Sequence, residues 1–501
     1  METDPLLFRN HQARDDTEER TNPDVTTENA VYTTLFTSLL ADSIPVILSY
    51  ILQNSIQTIA VLIVGRLGPD ELSAAAFSYM LAFVTGELVY CTWGTTALDT
   101  FGSQAFTGGT RTTDVSIHFQ RCLIVLWILL IPVCVLWAFA KPILLLLGQE
   151  DRLSEDVQSV LRILIIGAPG YIAFESLKKY LQCQGIMRLS TYALLIVSPI
   201  NLVTNITLVH YTPLGLLGSP FALSLTYWLA FIVLVILTIF SPQHKVNATW
   251  GGWHLKEALR PGSVWMFLSL ALPGILMVGT EWAAFEIVAL AAGRISSLSL
   301  AAQSVIMTTD QILNTLPFGI GVAASTRVGN LIGAQSALGA KRAGHASALL
   351  SVVVGFIVMI SMLAAKNVYG YIFSDDKEVV NLVARVMPLV ASFQVADGLA
   401  GSCGGVLRGQ GRQHIGAFFN IVAYYVIALP MGITLAFRVH MGLQGLWIGQ
   451  VVALFIVGTG LYTVVWRGTN WDEEVKRGIE RNKADDLAKR CYDGEPTNDI
   501  S

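Results

Sequence analysis

Charge is the scarcest commodity in this chain. Asp, Glu, Lys and Arg together make up 14% of the 501 residues, against about 25% in an ordinary soluble protein. At roughly 150 residues per domain the length would fit about three soluble domains. A hydrophobic content of 53% and a mean hydropathy of +0.57 exclude that reading and place the chain in a bilayer. A basic excess is also missing: the net charge is −4, which leaves no electrostatic footprint for nucleic acid. The six cysteines, Cys91, Cys122, Cys134, Cys183, Cys403 and Cys491, include no Cys-x-x-Cys pair. They outline neither a disulfide framework nor a zinc site, so no metal site is expected. There is no His-Glu-x-x-His or paired catalytic-aspartate motif, which argues against an intramembrane enzyme. Residues 1–42 are polar and lack the apolar core of a cleavable signal peptide, so they read as a flexible cytosolic tail.

What is present is apolar sequence in long runs. Twelve stretches approach the ~20 residues that cross a ~30 Å hydrocarbon core. They begin near Ser43, Ser73, Gln120, Val157, Thr191 and Leu214, and again near Val264, Leu300, Ala346, Val379, Ala417 and Leu443. Backbone amides must be satisfied inside lipid, and segments this rich in Leu, Ile and Ala satisfy them as helices. With a cytosolic N-terminus, the even-numbered connections hold Arg111, Lys178, Lys179, Arg188, Lys245, Lys256, Arg260, Arg327, Lys341, Arg342, Arg408 and Arg412. The opposite connections hold only Arg66, Arg152, Arg294, Lys366, Lys377 and Arg438. This asymmetry predicts both termini in the cytosol. The glycosylation patterns at Asn205 and Asn247 then fall in a span and in a cytosolic loop, and read as chance matches.

The second half repeats the first. Pro45-Val46-Ile47-Leu48 returns as Pro273-Gly274-Ile275-Leu276 at an offset of 273 − 45 = 228. Leu181-Gln182-Cys183-Gln184-Gly185 meets Leu407-Arg408-Gly409-Gln410-Gly411 at 226, and Leu214-Gly215-Leu216 meets Met441-Gly442-Leu443 at 227. Several matches in order at a nearly constant offset mean a duplication. Six spans per copy is an even number, so both copies run in the same sense. The expected fold is an all-α membrane protein of twelve transmembrane helices, in two six-helix lobes related by a pseudo-two-fold axis along the membrane normal. That is the parallel-repeat plan of alternating-access transporters. The expected division is a tail at 1–42, an N-lobe at 43–240, an inter-lobe linker at 241–263, a C-lobe at 264–466 and a cytosolic tail at 467–501.

A charge near the bilayer centre costs about 2.5–3.5 kcal/mol on insertion scales, so each one needs an explanation. The second half supplies Glu281, Glu286, Asp310 and Asp397, with no Lys or Arg mid-span beside them. Carboxylates without a fixed cation can take up protons or bind a cationic ligand. The repeat supplies a control: the first-half counterparts are Gln53, Thr58, Val84 and Tyr171, all neutral. The architecture therefore does not demand these acids. For Glu281 and Asp397 a functional role outweighs that of a protonated acid hydrogen-bonded to a neighbouring helix, and for Glu286 and Asp310 the two readings stay open. Glu286 lies about 140° around the helix from Glu281, so both face one cavity only if Pro273 bends the span. Asp42 and Asp99 sit toward cytosolic ends, where solvation or helix capping is expected, and the role of Glu87 stays open. Trp282, Phe285, Tyr424 and Tyr425 are candidates to offer ring faces to an organic cation, with Gln53, Gln303, Asn314 and Asn420 offering amide dipoles, although each of them alone is more often a packing residue.

These residues resemble the multidrug and toxic compound extrusion (MATE) family, in its eukaryotic, fungal branch, over about Asp42 to Trp466. The resemblance is carried by Pro45 through Gln53, by Ala97-Leu98-Asp99-Thr100 with Gln104-Ala105, and by Leu181 through Gly185. In the second half it is carried by Glu281-Trp282 with Glu286, by Val322 through Asn330, and by Gly404 through Gly409. It implies a two-lobed exporter, not an enzyme, that exchanges protons or sodium for organic cations or other small amphiphiles. Glu281 and Glu286 match acids of the family's seventh helix, and Asp397 matches its tenth-helix acid. There are two departures. Ala60 stands where many prokaryotic members carry a first-helix Asp. Animal relatives have an eighth-helix acid at the position of Thr308, whereas Asp310 lies two residues on and about 200° around.

The expected function is proton-coupled export from the cytosol, with Na+ coupling or a lipid or oligosaccharide flippase as the alternatives. No cofactor is expected beyond the coupling ion, H+ or else Na+. The expected partners are a small-molecule substrate and the bilayer, with a monomeric chain and no nucleic acid. Glu2-Thr3-Asp4-Pro5-Leu6-Leu7 fits an acidic dileucine sorting signal, which favours a vacuolar, lysosome-like membrane slightly over the plasma membrane.

Overall fold

In the computed structural model, the described residues are 25–86, 94–146, 148–373 and 376–493. Both Glu87 and the dileucine pattern lie outside them. The described residues are helical almost throughout: α1 (Val25–Val64), α2 (Pro69–Ala82), α3 (Thr96–Gly108), α4 (Asp114–Ala138), α5 (Asp151–Cys183), α6 (Leu189–His210), α7 (Gly218–Phe240), α8 (Pro261–Ile295), α9 (Ser297–Gly333), α10 (Ala337–Ala365), α11 (Lys377–Gln410), α12 (Gln413–Phe437), α13 (Leu443–Arg467) and α14 (Trp471–Asp493). Ten of them are long and apolar enough to cross a membrane. Of the twelve expected spans, the one from Ser73 runs into the residues left undescribed. The one from Leu300 is the helix α9, whose polar positions Gln303, Thr308, Thr309, Asp310 and Asn314 dilute its hydropathy.

The chain forms two compact units. One comprises residues up to Ile47 and Leu272–Arg481; the other comprises Leu48–Ala271 and the residues from Asn482 onward. We call them the C unit and the N unit. Both α1 and α8 change unit beside a proline, Pro45 and Pro273 respectively. Because proline removes one backbone hydrogen bond and crowds the preceding turn, these are the weak points of otherwise continuous helices. Helix α1 starts at Val25, so part of the stretch expected to be a loose tail is ordered helix. Its Leu39 is fully buried against Ile320 and Ala323 of α9.

The repeat is visible as paired helix endings. Helix α5 stops at Gly185 and α11 at Gly411, both at φ = +75°. Ile186 N–H donates to the Leu181 carbonyl, and Arg412 N–H to the Leu407 carbonyl. The Leu-x-x-Gln-Gly motif in both halves is therefore a C-terminal cap, whose glycine supplies the left-handed backbone that other residues avoid. Gly215 and Gly442, also matched by the repeat, both take positive φ.

Several expected charge placements are corrected here. Lys178 and Lys179 are not loop residues: α5 runs on to Cys183, and both are fully buried. Lys178 pairs with Glu175 at 2.6 Å, and Lys179 with Asp99 at 3.0 Å. Asp99 is therefore a buried ion-pair partner rather than a solvated or capping residue. Asp42 lies 3.6 Å from Arg327. Asn205 is buried and donates to Asn201 at 2.9 Å, which suits a packing role rather than glycosylation.

Candidate functional site

Close backbone approach brings the C-unit acids together. On α11, Gly401, Gly405 and Gly409 recur every fourth residue and so share one face. A side chain at these positions would strike Pro317, Gly321 and Ser325 of α9, which recur at the same spacing. Glycine lets the two backbones approach until any larger residue would clash. One turn before this stripe on α11 stands Asp397, and beyond Pro317 on α9 stand Asn314 and Asp310. Asp310 and Asp397 are buried, and Asn314 donates to an Asp397 carboxylate oxygen at 3.5 Å.

The third acid, Glu281, is half-buried on α8, two turns past Pro273. Three side chains of α12 hold this stretch. Tyr424 donates its hydroxyl hydrogen to Glu281 Oε1 at 3.2 Å, Tyr425 donates to the Thr280 carbonyl at 3.1 Å, and Asn420 donates to the Met277 carbonyl. Both tyrosines lie on a π-helical stretch, Ile421–Ala428, inside α12. Such wide turns are rare and occur often at functional sites, where they re-aim side chains.

The three carboxylates lie close enough for their charges to act on one another: Asp310 acts on Glu281, and both act on Asp397. Gln394, a residue that sequence reasoning missed, is buried beside Asp310, and its amide donates to the Val390 carbonyl at 3.4 Å. Its signal was available: it is a polar side chain on α11 three residues before Asp397. Among the described residues, no lysine or arginine acts on the three acids. Thr308 is exposed and bonds its own helix at the Ser304 carbonyl. Asp310 therefore faces the other acids, and the position of Thr308 does not.

The other expected residues divide. Glu286 is half-buried farther along α8, and the charges of the other three acids do not reach it. Phe285 is buried with its ring 6.2 Å from that of Tyr424 and 6.1 Å from that of Trp447, which makes it core rather than a free ring face. Gln303 is buried and accepts from Trp447 Nε1 at 2.7 Å, and Trp282 is half-buried on α8. Gln53 belongs to the N unit, where its side-chain bonds are made locally. It donates to the Tyr171 hydroxyl at 2.7 Å and to Glu175 at 2.9 Å, and accepts from Lys178 at 3.1 Å.

Comparison with known proteins gives this geometry a family. The MatE family profile matches residues 45–207 and again 273–434, two copies whose starts differ by 228 positions. A transporter of Schizosaccharomyces pombe is 40% identical over 88% of this chain and 80% of its own length. The human multidrug and toxin extrusion protein 1 is 33% identical over 83% of this chain and 72% of its own. The crystal structure of the eukaryotic MATE transporter AtDTX14 superposes with a TM-score of 0.82 at 30% identity, covering 90% of this chain and 99% of that one. The duplicated profile, the helical fold and these relatives agree: the chain is a multi-pass membrane transporter and belongs to the MATE family.

Proposed function

We propose that the protein exports organic cations or cationic amphiphiles from the cytosol in exchange for protons, using Glu281, Asp310 and Asp397. The observation that supports this most is the cluster itself: three mutually repelling acids held close together without a fixed counter-ion. Such a cluster is relieved by protons or by a bound cation, and less well by both at once. In an inward-open state a cation binds the deprotonated acids; on the far side protons neutralise them and the cation leaves. Each pH unit across the membrane supplies about 1.36 kcal/mol per proton, and each charge about 2.3 kcal/mol per 100 mV. One or two protons then support tens- to thousand-fold accumulation.

The basic residues at even-numbered connections favour cytosolic termini even without Lys178 and Lys179, so transport runs from cytosol to lumen or exterior. We favour a vacuolar membrane on the dileucine pattern. A flippase for a pyrophosphate-linked lipid needs free cations, and the two buried lysines of the N unit are already matched by acids.

The test is uptake of tetraethylammonium into proteoliposomes with an acidic lumen. Wild type accumulates it, while Glu281→Gln and Asp397→Asn lose at least tenfold, the equivalent of ~1.4 kcal/mol or more of coupling. Proton-coupled uptake retained by either variant refutes the assignment. Replacing H+ by Na+ as the imposed gradient separates the two coupling ions.

A further inference from the structure

The segment joining α7 to α8 is held from beneath by polar groups while large apolar side chains stand exposed on it. Its inner face is polar and pinned. Fully buried Gln120 donates to the Gly252 carbonyl at 2.8 Å and accepts from His254 N–H at 2.7 Å. Arg121 donates to the Ala258 carbonyl at 3.0 Å, and buried Thr249 donates to Gln184 at 2.9 Å. Its outer face carries large apolar side chains among exposed polar ones such as Gln243 and His254: Val246 is 64% exposed, Trp253 63%, and Trp265 at the start of α8 72%. Trp250 stands edge-on to Trp253 at 5.5 Å and to Phe119 at 6.4 Å, which anchors the aromatic group to the unit. A solvated connection turns polar groups outward; large exposed apolar side chains over pinned backbone call for a non-aqueous neighbour.

The charges indicate which neighbour. Lys245 and Lys256 are exposed on this segment, and the one acid between Ser241 and Trp265 is Glu257, which is held by Arg111. Both ends of the segment continue directly into helices fit to span a bilayer, so it lies at the membrane surface by covalent continuity. Tryptophan and lysine together are the side chains that settle at the headgroup level, the rings among the glycerol groups and the ammonium groups at lipid phosphates.

We infer that residues 241–265 form an interfacial docking strip that inserts Trp253 and Trp265 into the headgroup layer and binds anionic phospholipid through Lys245 and Lys256. This assignment is independent of the acids of the C unit and of the coupling ion.

The test uses the full chain in vesicles of phosphatidylcholine, with and without added phosphatidylserine, in which a fraction of the acyl chains is brominated. The Trp253 signal is the fluorescence of wild type minus that of Trp253→Phe. Brominated lipid is expected to quench this component roughly twofold or more, and more strongly when phosphatidylserine is present. The double variant K245E/K256E is expected to lose the phosphatidylserine-dependent part; an unchanged melting temperature in detergent shows that it is folded. Three results overturn the inference: quenching of the Trp253 component by aqueous acrylamide but not by bromolipid, shielding from both reagents, which would mean that a protein covers the strip, or equal bromolipid quenching in the two lipid mixtures.

Discussion

The N and C units descend from one duplicated sequence and resolve the same interior position in opposite ways. At the places related by the repeat, the N unit has Gln53 and Tyr171, joined by a 2.7 Å hydrogen bond, and the C unit has Glu281 and Asp397, which repel each other. The N unit does bury an acid nearby, Glu175, but supplies its cation in the same helix. Lys178 sits 2.6 Å from Glu175, with its ammonium 4.1 Å from the centre of the Tyr50 ring. At the corresponding places the C unit has Gly401 and Gly404. One unit thus carries a tethered cation on an aromatic face beside a carboxylate. The other carries the carboxylates without the cation, and Gly401 is part of the stripe that lets α9 approach. A transported organic cation would complete in the C unit what lysine completes permanently in the N unit.

The sharpest way to break this comparison is to remove the tethered cation. Lys178→Met leaves Glu175 buried without its counter-ion and should cost about 3–5 kcal/mol of stability. Adding Glu175→Gln should recover most of the loss, and thermal unfolding in detergent measures both. If the single variant melts like wild type, the pair does not stabilise the N unit. Next in size, Gly405→Val should force α9 and α11 apart and lower the melting temperature by an amount equivalent to about 2–3 kcal/mol, as overpacking does. The same variant should also reduce coupled uptake, because Asp397 moves with its helix. Tyr424→Phe removes one hydrogen bond to a carboxylate and should cost about 1–2 kcal/mol in the same unfolding assay. Smallest of all, Glu286→Gln should leave coupled uptake within about twofold of wild type. A loss matching that of Glu281→Gln would enlarge the charged cluster beyond the three acids assigned here.

Much of this contrast is legible in the sequence, and the reason is energetic. An acid inside a span is costly enough to be conspicuous, so Glu281, Asp310 and Asp397 stand out in an apolar run. Paired charges hide better. Glu175-Ser176-Leu177-Lys178-Lys179 reads as the polar end of a span, although its three-residue Glu-to-Lys spacing is that of an intrahelical pair. The continuation of α5 to the cap at Gly185 is what buries it. Pattern alone also did not fix which eighth-helix face carries the acid, because two residues move a side chain about 200° around the axis. In the folded chain Asp310 is buried and Thr308 is exposed, so the inward face is the one that carries Asp310. An aromatic ring beside an acid looks the same in sequence whether it faces a ligand or packs in the core, and Phe285 takes the packing role, against Tyr424 and Trp447.

Proton release on cation binding tests the central claim most directly. Tetraethylammonium added to the purified protein in weakly buffered detergent solution should release protons from wild type and from the double variant K178M/E175Q. Glu281→Gln combined with Asp397→Asn should release none. Undiminished release from that last variant would mean that protons and cations do not compete for these acids.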